Sequence, residues 1–190
     1  VLQIGHLEQF NPAIRKLRKS SCKPQFIEVH RLCQFNPRAN DVDVILDLMI
    51  HDIDIVLSLV NKKIENIVVS GKKILTSLTD IANVRIKFQN NVVANLTASR
   101  ISRKNERKMR IFSNNSYYSI DFINNELKKI YKDKRNKFKE TNFNFEKTDT
   151  LNDEINNFIK TCLGKEKSMT TGTSGLEALI VAKKISKGLH

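Results

Sequence analysis

The stretch DVDVILDLMIHDIDIVLSLV, residues 41–60, decides how the rest of the chain is read. It is apolar enough for a buried helix, yet it carries five aspartates and a histidine. At 3.6 residues per turn, Asp43, Asp47, His51 and Asp54 recur at spacings of four, four and three, forming one polar stripe on an apolar cylinder. Buried charge is costly unless it is paired or used, so the stripe is either a solvent edge or a site. The Asp47–His51 spacing lets a carboxylate bond one imidazole nitrogen and fix the tautomer, leaving His51 able to take a proton from a hydroxyl. Two other readings stay open. The stripe is a solvated face, or Asp47, His51 and Asp54 ligate a metal with help from His6 or His30. Leu48, Met49, Ile50, Ile53, Ile55 and Val56 leave little surface for a purely solvated face.

Outward from this helix, the chain reads in one order. Residues 1–6 form a short strand or the exit from one, and Asn11 caps a helix over 12–19 with Pro12 at its first position. A two-residue alternation predicts a strand over 25–32, with Ile27, Val29 and Arg31 on one side. The loop 34–40 carries Arg38, which either reaches an anionic substrate or is solvated, and Asn40 or Asp41 is the expected N-cap of the central helix. That helix ends near residues 60–61. Strands follow over 64–75, with a break at Ser70-Gly71, then over 80–88 and 92–100 around a two-residue turn, Asn90-Asn91. Strands over 107–113 and 117–122 flank Asn114-Asn115, and 127–131 and the lysine-rich 132–147 read as edge strands around an exposed loop. Helices close the chain. One spans 151–163, capped by Thr148 or Thr150, with Leu151, Ile155, Phe158 and Ile159 on one face. After a turn at 171–175, the last covers 176–185, with Leu176, Leu179 and Ile180 around it. Helical ends around a run of antiparallel strands make the fold class α+β.

Composition narrows the function classes. The 190 residues suffice for a single domain, 1–190, with its own core. No apolar run reaches the roughly 20 residues that cross a bilayer, and the first six residues lack the basic flank of a signal peptide. Cys22, Cys33 and Cys162 are widely spaced and odd in number, which fits reduced thiols and a cytoplasmic setting. A net charge of +13 suits a phosphate-bearing substrate, whereas lysines spread along the whole chain do not outline a nucleic-acid groove. Six glycines form neither GxGxxG nor a Walker loop, so no cofactor-binding motif is present; Gly172-Thr173-Ser174-Gly175 reads as a helix entry.

Three segments, His6-Leu7-Glu8-Gln9-Phe10-Asn11-Pro12, Asp47-Leu48-Met49-Ile50-His51-Asp52-Ile53-Asp54 and Thr171-Gly172-Thr173-Ser174-Gly175-Leu176-Glu177-Ala178-Leu179, occur in an order that resembles the C-terminal domain of the glucose–fructose oxidoreductase/inositol dehydrogenase family. The resemblance implies an open, mostly antiparallel sheet with helices on one face. It also implies a partner N-terminal Rossmann domain that binds NAD or NADP and is missing from this chain, whose start at Val1 reads as a fragment. Such enzymes oxidise a hydroxyl of a sugar or nucleotide sugar, and residues 26–59 look most like nucleotide-sugar 3-dehydrogenases, such as those acting on UDP-N-acetylglucosamine. The same resemblance makes Asp47 and His51 the acid–base pair, makes Asn11, Arg38 and Asp54 substrate contacts, gives no metal, and implies a homo-oligomer through the sheet face. The alternative is a non-catalytic oligomeric binding module on the same fold.

Overall fold

A computed structural model of the chain describes residues 1–20, 22–37 and 41–189. Helix α1 (Pro12–Arg18) follows a 3₁₀ turn, Leu7–Phe10, and begins where the Asn11 side chain accepts the Ala13 N–H. Strand β1 (Pro24–Leu32) leads through a loop to a π-helical turn, Ile45–Met49, that runs directly into α2 (Ile50–Val60). Strands β2 (Ile64–Lys72), β3 (Ile81–Phe88), β4 (Val93–Ser99), β5 (Glu106–Ser113), β6 (Ser116–Asp121), β7 (Glu126–Lys132) and β8 (Phe138–Asn144) follow. Helices α3 (Thr150–Cys162) and α4 (Gly172–Lys187) end the chain.

The strands form one open sheet in the order β2-β3-β4-β1-β5-β6-β7-β8. Only β1 and β4 run parallel, because α2 and two strands intervene before the chain returns beside β1; every other neighbouring pair is antiparallel. One face is covered. Ile27 and Val29 of β1, Val84 and Ile86 of β3, Ala94 and Leu96 of β4, and Met109 and Ile111 of β5 bury there beneath Ile53, Val56, Ala178 and Ala182. The other face keeps Glu28, Asn83, Asn95 and Arg110 toward solvent, the alternation expected of a one-sided sheet. Gly175, Ala178, Ala182 and Ile185 form the buried stripe of α4, whereas Leu176 and Ile180 point outward. Small side chains there let α4 lie close on α2.

Several boundaries differ from the sequence expectation, each for a local reason. Asp43, not Asp41, caps the central helix, since its Oδ1 accepts both Ile45 N–H and Leu46 N–H; Asn40 lies outside the described residues. Asp149 rather than Thr148 or Thr150 caps α3. Strand β2 runs through Ser70-Gly71 unbroken, because a Cβ at Gly71 would meet Leu189 and Thr79 at 2.9 Å, so glycine there serves close approach. The β3–β4 connection has four residues, 89–92, rather than two, closed where Phe88 N–H donates to Val92 O, with Asn91 at φ 63°. Helix α4 begins at Gly172, four residues early, with Thr171 as its cap.

Two buried ion pairs fasten the layers. Asp80 accepts the amides of Ile74, Leu75 and Thr76 and lies 3.1 Å from Arg100 Nε, while Arg100 Nη2 donates to the carbonyls of Val42 and Thr79. Burial alone would raise the Asp80 carboxyl, but the bonds from Thr76, Ile74 and Leu75 hold it well below the usual carboxylate range. The second pair joins β1 to α2. Arg31 Nε and Nη2 each lie 2.8 Å from an oxygen of Asp52, and both residues are almost fully buried. Removing one partner strands the other charge in the interior. Asp52→Ala is therefore expected to cost about 3–5 kcal/mol in urea unfolding. The double variant Arg31→Met/Asp52→Leu should recover most of that loss, and an equal loss in both would show that the charge pairing is not what matters.

Candidate active site

The site is assembled where α2 faces the 3₁₀ turn and the end of β1. A π-helical turn closes with i→i+5 bonds and adds a residue to the turn, so it advances each side chain through a smaller angle than an α-helix does. The four polar residues therefore do not stay in one stripe. Asp43 turns toward α4, where Ser186 Oγ donates to its Oδ2. Asp47 turns toward Cys33 just past β1, and together with burial its charge raises the Cys33 thiol. His51 and Asp54, beyond the π turn, face the N-terminal segment.

There His51 meets His6 edge-to-face, with ring centroids 5.5 Å apart. His6 Nδ1 lies 3.2 Å from Asp54 Oδ2, which also accepts from Gln9 Nε2, and Gln9 in turn accepts from Arg18. Beside them sits the Arg31–Asp52 pair, with Glu8 Oε1 3.1 Å from Arg31 Nη1. Burial pulls Arg31 down, but Asp52 and Glu8 outweigh it and raise the guanidinium further, so Arg31 is cationic throughout. His51 feels the opposite balance. Burial, Arg31 and His6 lower its imidazole below the usual 6.5, against the weaker pull of Asp52 and Glu8. His51 Nδ1 is buried with no hydrogen-bond partner among the described residues. The result is a neutral imidazole with an unused ring nitrogen. From α3, Glu154 approaches His6, and burial raises its carboxyl.

The expected site residues are thus separated in part. His51 and Asp54 come together, and among the described residues no hydrogen bond or ion pair joins Asp47 to His51. Asp54 is engaged by Gln9 and His6, and Asn11 caps α1 while donating to Asn125 Oδ1 at 3.3 Å. Arg38 lies outside the described residues. His30 sits on the open face, 3.4 Å from Glu106, and no group of three or more His, Cys, Asp or Glu among the described residues is placed to hold a metal. Gly172 and Gly175 do not form a phosphate cradle. A Cβ at either would meet Leu2 or Ile4 at 2.5 Å, so these glycines admit the N-terminal segment, which bonds there through Ile4 N–H to Thr170 O. His6, Glu8, Arg31 and Asp52 were not singled out by spacing. An arginine in phase with Ile27 and Val29 on a strand's apolar side is the one signal that could have found them.

Comparison with known proteins places this arrangement. The profile of the GFO/IDH/MocA C-terminal domain matches residues 25–118. A curated relative, UDP-N-acetylglucosamine 3-dehydrogenase of Acidithiobacillus ferrooxidans, is 43% identical over 128 residues, covering 67% of this chain and 41% of the relative. The solved structure of UDP-N-acetylglucosamine 3-dehydrogenase GnnA from the same organism superposes at TM-score 0.93 with 34% identity, over 100% of this chain and 61% of its own. The chain therefore spans less than two thirds of either relative. Levoglucosan dehydrogenase, solved in complex with NADH, shares the fold at TM-score 0.85 and 12% identity, over 99% of this chain and 64% of its own. By profile, topology and superposition, the chain carries the C-terminal domain of the GFO/IDH/MocA family.

Proposed function

We propose that this chain is the substrate half of an NAD(P)-dependent oxidoreductase that oxidises a hydroxyl of a sugar or nucleotide sugar. The observation that carries the reading is His51: half-buried, held neutral, and with a buried Nδ1 unpartnered among the described residues. A neutral imidazole is the form that accepts a hydroxyl proton. Asp47, four residues earlier and with no bond to His51 among the described residues, is proposed to complete proton transfer across the bound substrate. Asp54 acts indirectly, through His6, and Asn11 contributes by fixing the turn that carries His6 and Glu8. As the substrate C–O bond becomes C=O, the hydroxyl proton passes to His51 and the two electrons leave with the carbon-bound hydrogen. A nicotinamide supplies the acceptor for that hydride. Nothing among the described residues suits a dinucleotide, so the cofactor is held by a dinucleotide-binding domain outside these residues. Leu151, Ile155, Phe158 and Ile159, an exposed apolar row on α3, give that domain a surface to cover.

A second copy of the chain is proposed to cover the open sheet face, where Phe26, Phe112 and Tyr117 pack together among Glu28, Lys108 and Arg110. Analytical ultracentrifugation should show a species larger than a monomer that Phe112→Glu dissociates; a monomeric wild type would refute it.

In a protein joining this chain to its dinucleotide-binding domain, His51→Ala should lower kcat/KM about 10²–10⁴-fold, the usual worth of a positioned acid–base group, with the thermal melt kept. The wild-type pH profile should hold its activity as pH falls through 6.5, because the lowered His51 value keeps the base form present, and lose it only below that. Unchanged activity in His51→Ala, or an acid limb above 6.5, would sink the assignment.

A further inference from the structure

A histidine that acts as a base is ordinarily aimed by a bond to its second ring nitrogen. His51 has no such bond. Among the described residues no hydrogen bond or ion pair reaches either of its ring nitrogens, and Nδ1 is closed off from solvent. With Nδ1 buried, Nε2 is the nitrogen through which His51 would meet a substrate hydroxyl. The plane of the ring is therefore left to packing. The ring that packs on it is His6, at 5.5 Å between centroids and 77° between planes.

His6 is itself held by a chain of groups with one possible polarity. Gln9 lies between the Arg18 guanidinium and the Asp54 carboxylate. A guanidinium only donates and a carboxylate only accepts, so the Gln9 amide fits one way round, Oε1 toward Arg18 and Nε2 toward Asp54. Asp54 Oδ2 also lies 3.2 Å from His6 Nδ1, a bent contact rather than a straight hydrogen bond, and an accepting oxygen there favours a proton on that nitrogen. Gln9, Asp54 and His6 are 2%, 3% and 6% exposed, so water does not compete for these partners. Arg18 is anchored a second time, donating to Ser58 Oγ of α2 at 3.0 Å. From the other side α3 closes on the same turn: Glu154 Oε1 lies 3.9 Å from where a Cβ on Gly5 would stand. The chain thus ties α1, the 3₁₀ turn and α2 together and ends on the ring that touches His51.

We propose that His6 is the positioning residue of this site: fixed by the Arg18–Gln9–Asp54 chain, its ring sets the plane of the His51 ring and turns Nε2 toward the substrate hydroxyl. The inference rests on the reading of His51 as proton acceptor. In this role His6 takes up no proton from the substrate and touches no reacting atom. The contact has an electrical side as well. Burial, Arg31 and His6 lower the His51 imidazole, against Asp52 and Glu8, while Asp54 of α2 and Glu154 of α3 face His6. Taking the His6 ring away should therefore raise His51 toward its ordinary value and move the loss of its base form to higher pH.

Long-range ¹H–¹⁵N NMR on the full chain reads the His51 proton without any substrate, and in His6→Ala its midpoint should rise toward 6.5. In the protein joined to its dinucleotide-binding domain, with UDP-N-acetylglucosamine and NAD as probes, His6→Ala should lower kcat about tenfold or more and keep KM within about twofold, the pattern of an interaction that serves the transition state. The acid limb of its pH profile should move up with the NMR midpoint, which a general loss of folded protein would not do. Arg18→Gln frees the Gln9 amide at the exposed end of the chain and strands no buried charge, so it keeps the test open if His6→Ala does not fold; it should lower kcat with KM and the thermal melt kept. A His51 midpoint unchanged in His6→Ala, or wild-type kcat in His6→Ala or Arg18→Gln, would overturn the proposal. Unchanged turnover in His51→Ala bears instead on the proton acceptor, and leaves the NMR comparison standing.

Discussion

Everything around the site depends on one buried interaction, the two-point contact between Arg31 on β1 and Asp52 on α2. Taking both charges out of water is costly, and only close geometry with every lone pair used offsets it. Here two 2.8 Å bonds and the added carboxylate of Glu8 meet that demand. The guanidinium is planar and the carboxylate accepts along fixed directions, so the pair tolerates one rotation of α2 about its axis and one position along β1. Apolar packing of Ile53 and Val56 would accept several neighbouring settings. The ion pair selects among them, and in doing so aims His51 at His6.

The same pair sets the chemistry of His51. Its positive end and the second histidine both disfavour a further positive charge, and burial acts in the same direction. The carboxylates nearby are already matched, Asp52 and Glu8 to Arg31 and Asp54 to Gln9 and His6, so their pull on His51 is partly spent. A histidine surrounded by acids is thereby kept neutral, which the residue types alone would not suggest. The π turn has a complementary effect: it takes Asp47 off the His51 face, leaving its charge to act on Cys33 just past β1.

How much was legible in the sequence follows from the range of the interactions. Short-range signals read well: Asn11 before Pro12, the alternation of β1, Asn114-Asn115 between β5 and β6, and the termination of α2 at Asn61, which takes the left-handed conformation. A helix-period argument found His51 and the aspartates, and resemblance supplied the sheet. The faces were harder. An α-helical wheel cannot show a π turn, so Asp43, Asp47 and His51 were assigned one stripe when they serve three different neighbours. Burial of α4 through Ala178 and Ala182 rather than Leu176 and Ile180 reflects close helix packing, which favours small residues at the contact, while Gly175 makes room for Ile4. Partners such as Arg31 with Asp52, or Leu2 with Gly172, meet only after the chain has folded, across separations that no local pattern encodes.

The central claim is that the folded surroundings keep His51 neutral, and a titration of the four histidines by long-range ¹H–¹⁵N NMR tests it most directly. The expected result is a His51 midpoint below 6.5. A His51 midpoint at or above 6.5 would contradict it, since the buried arginine and second histidine would then not govern the proton.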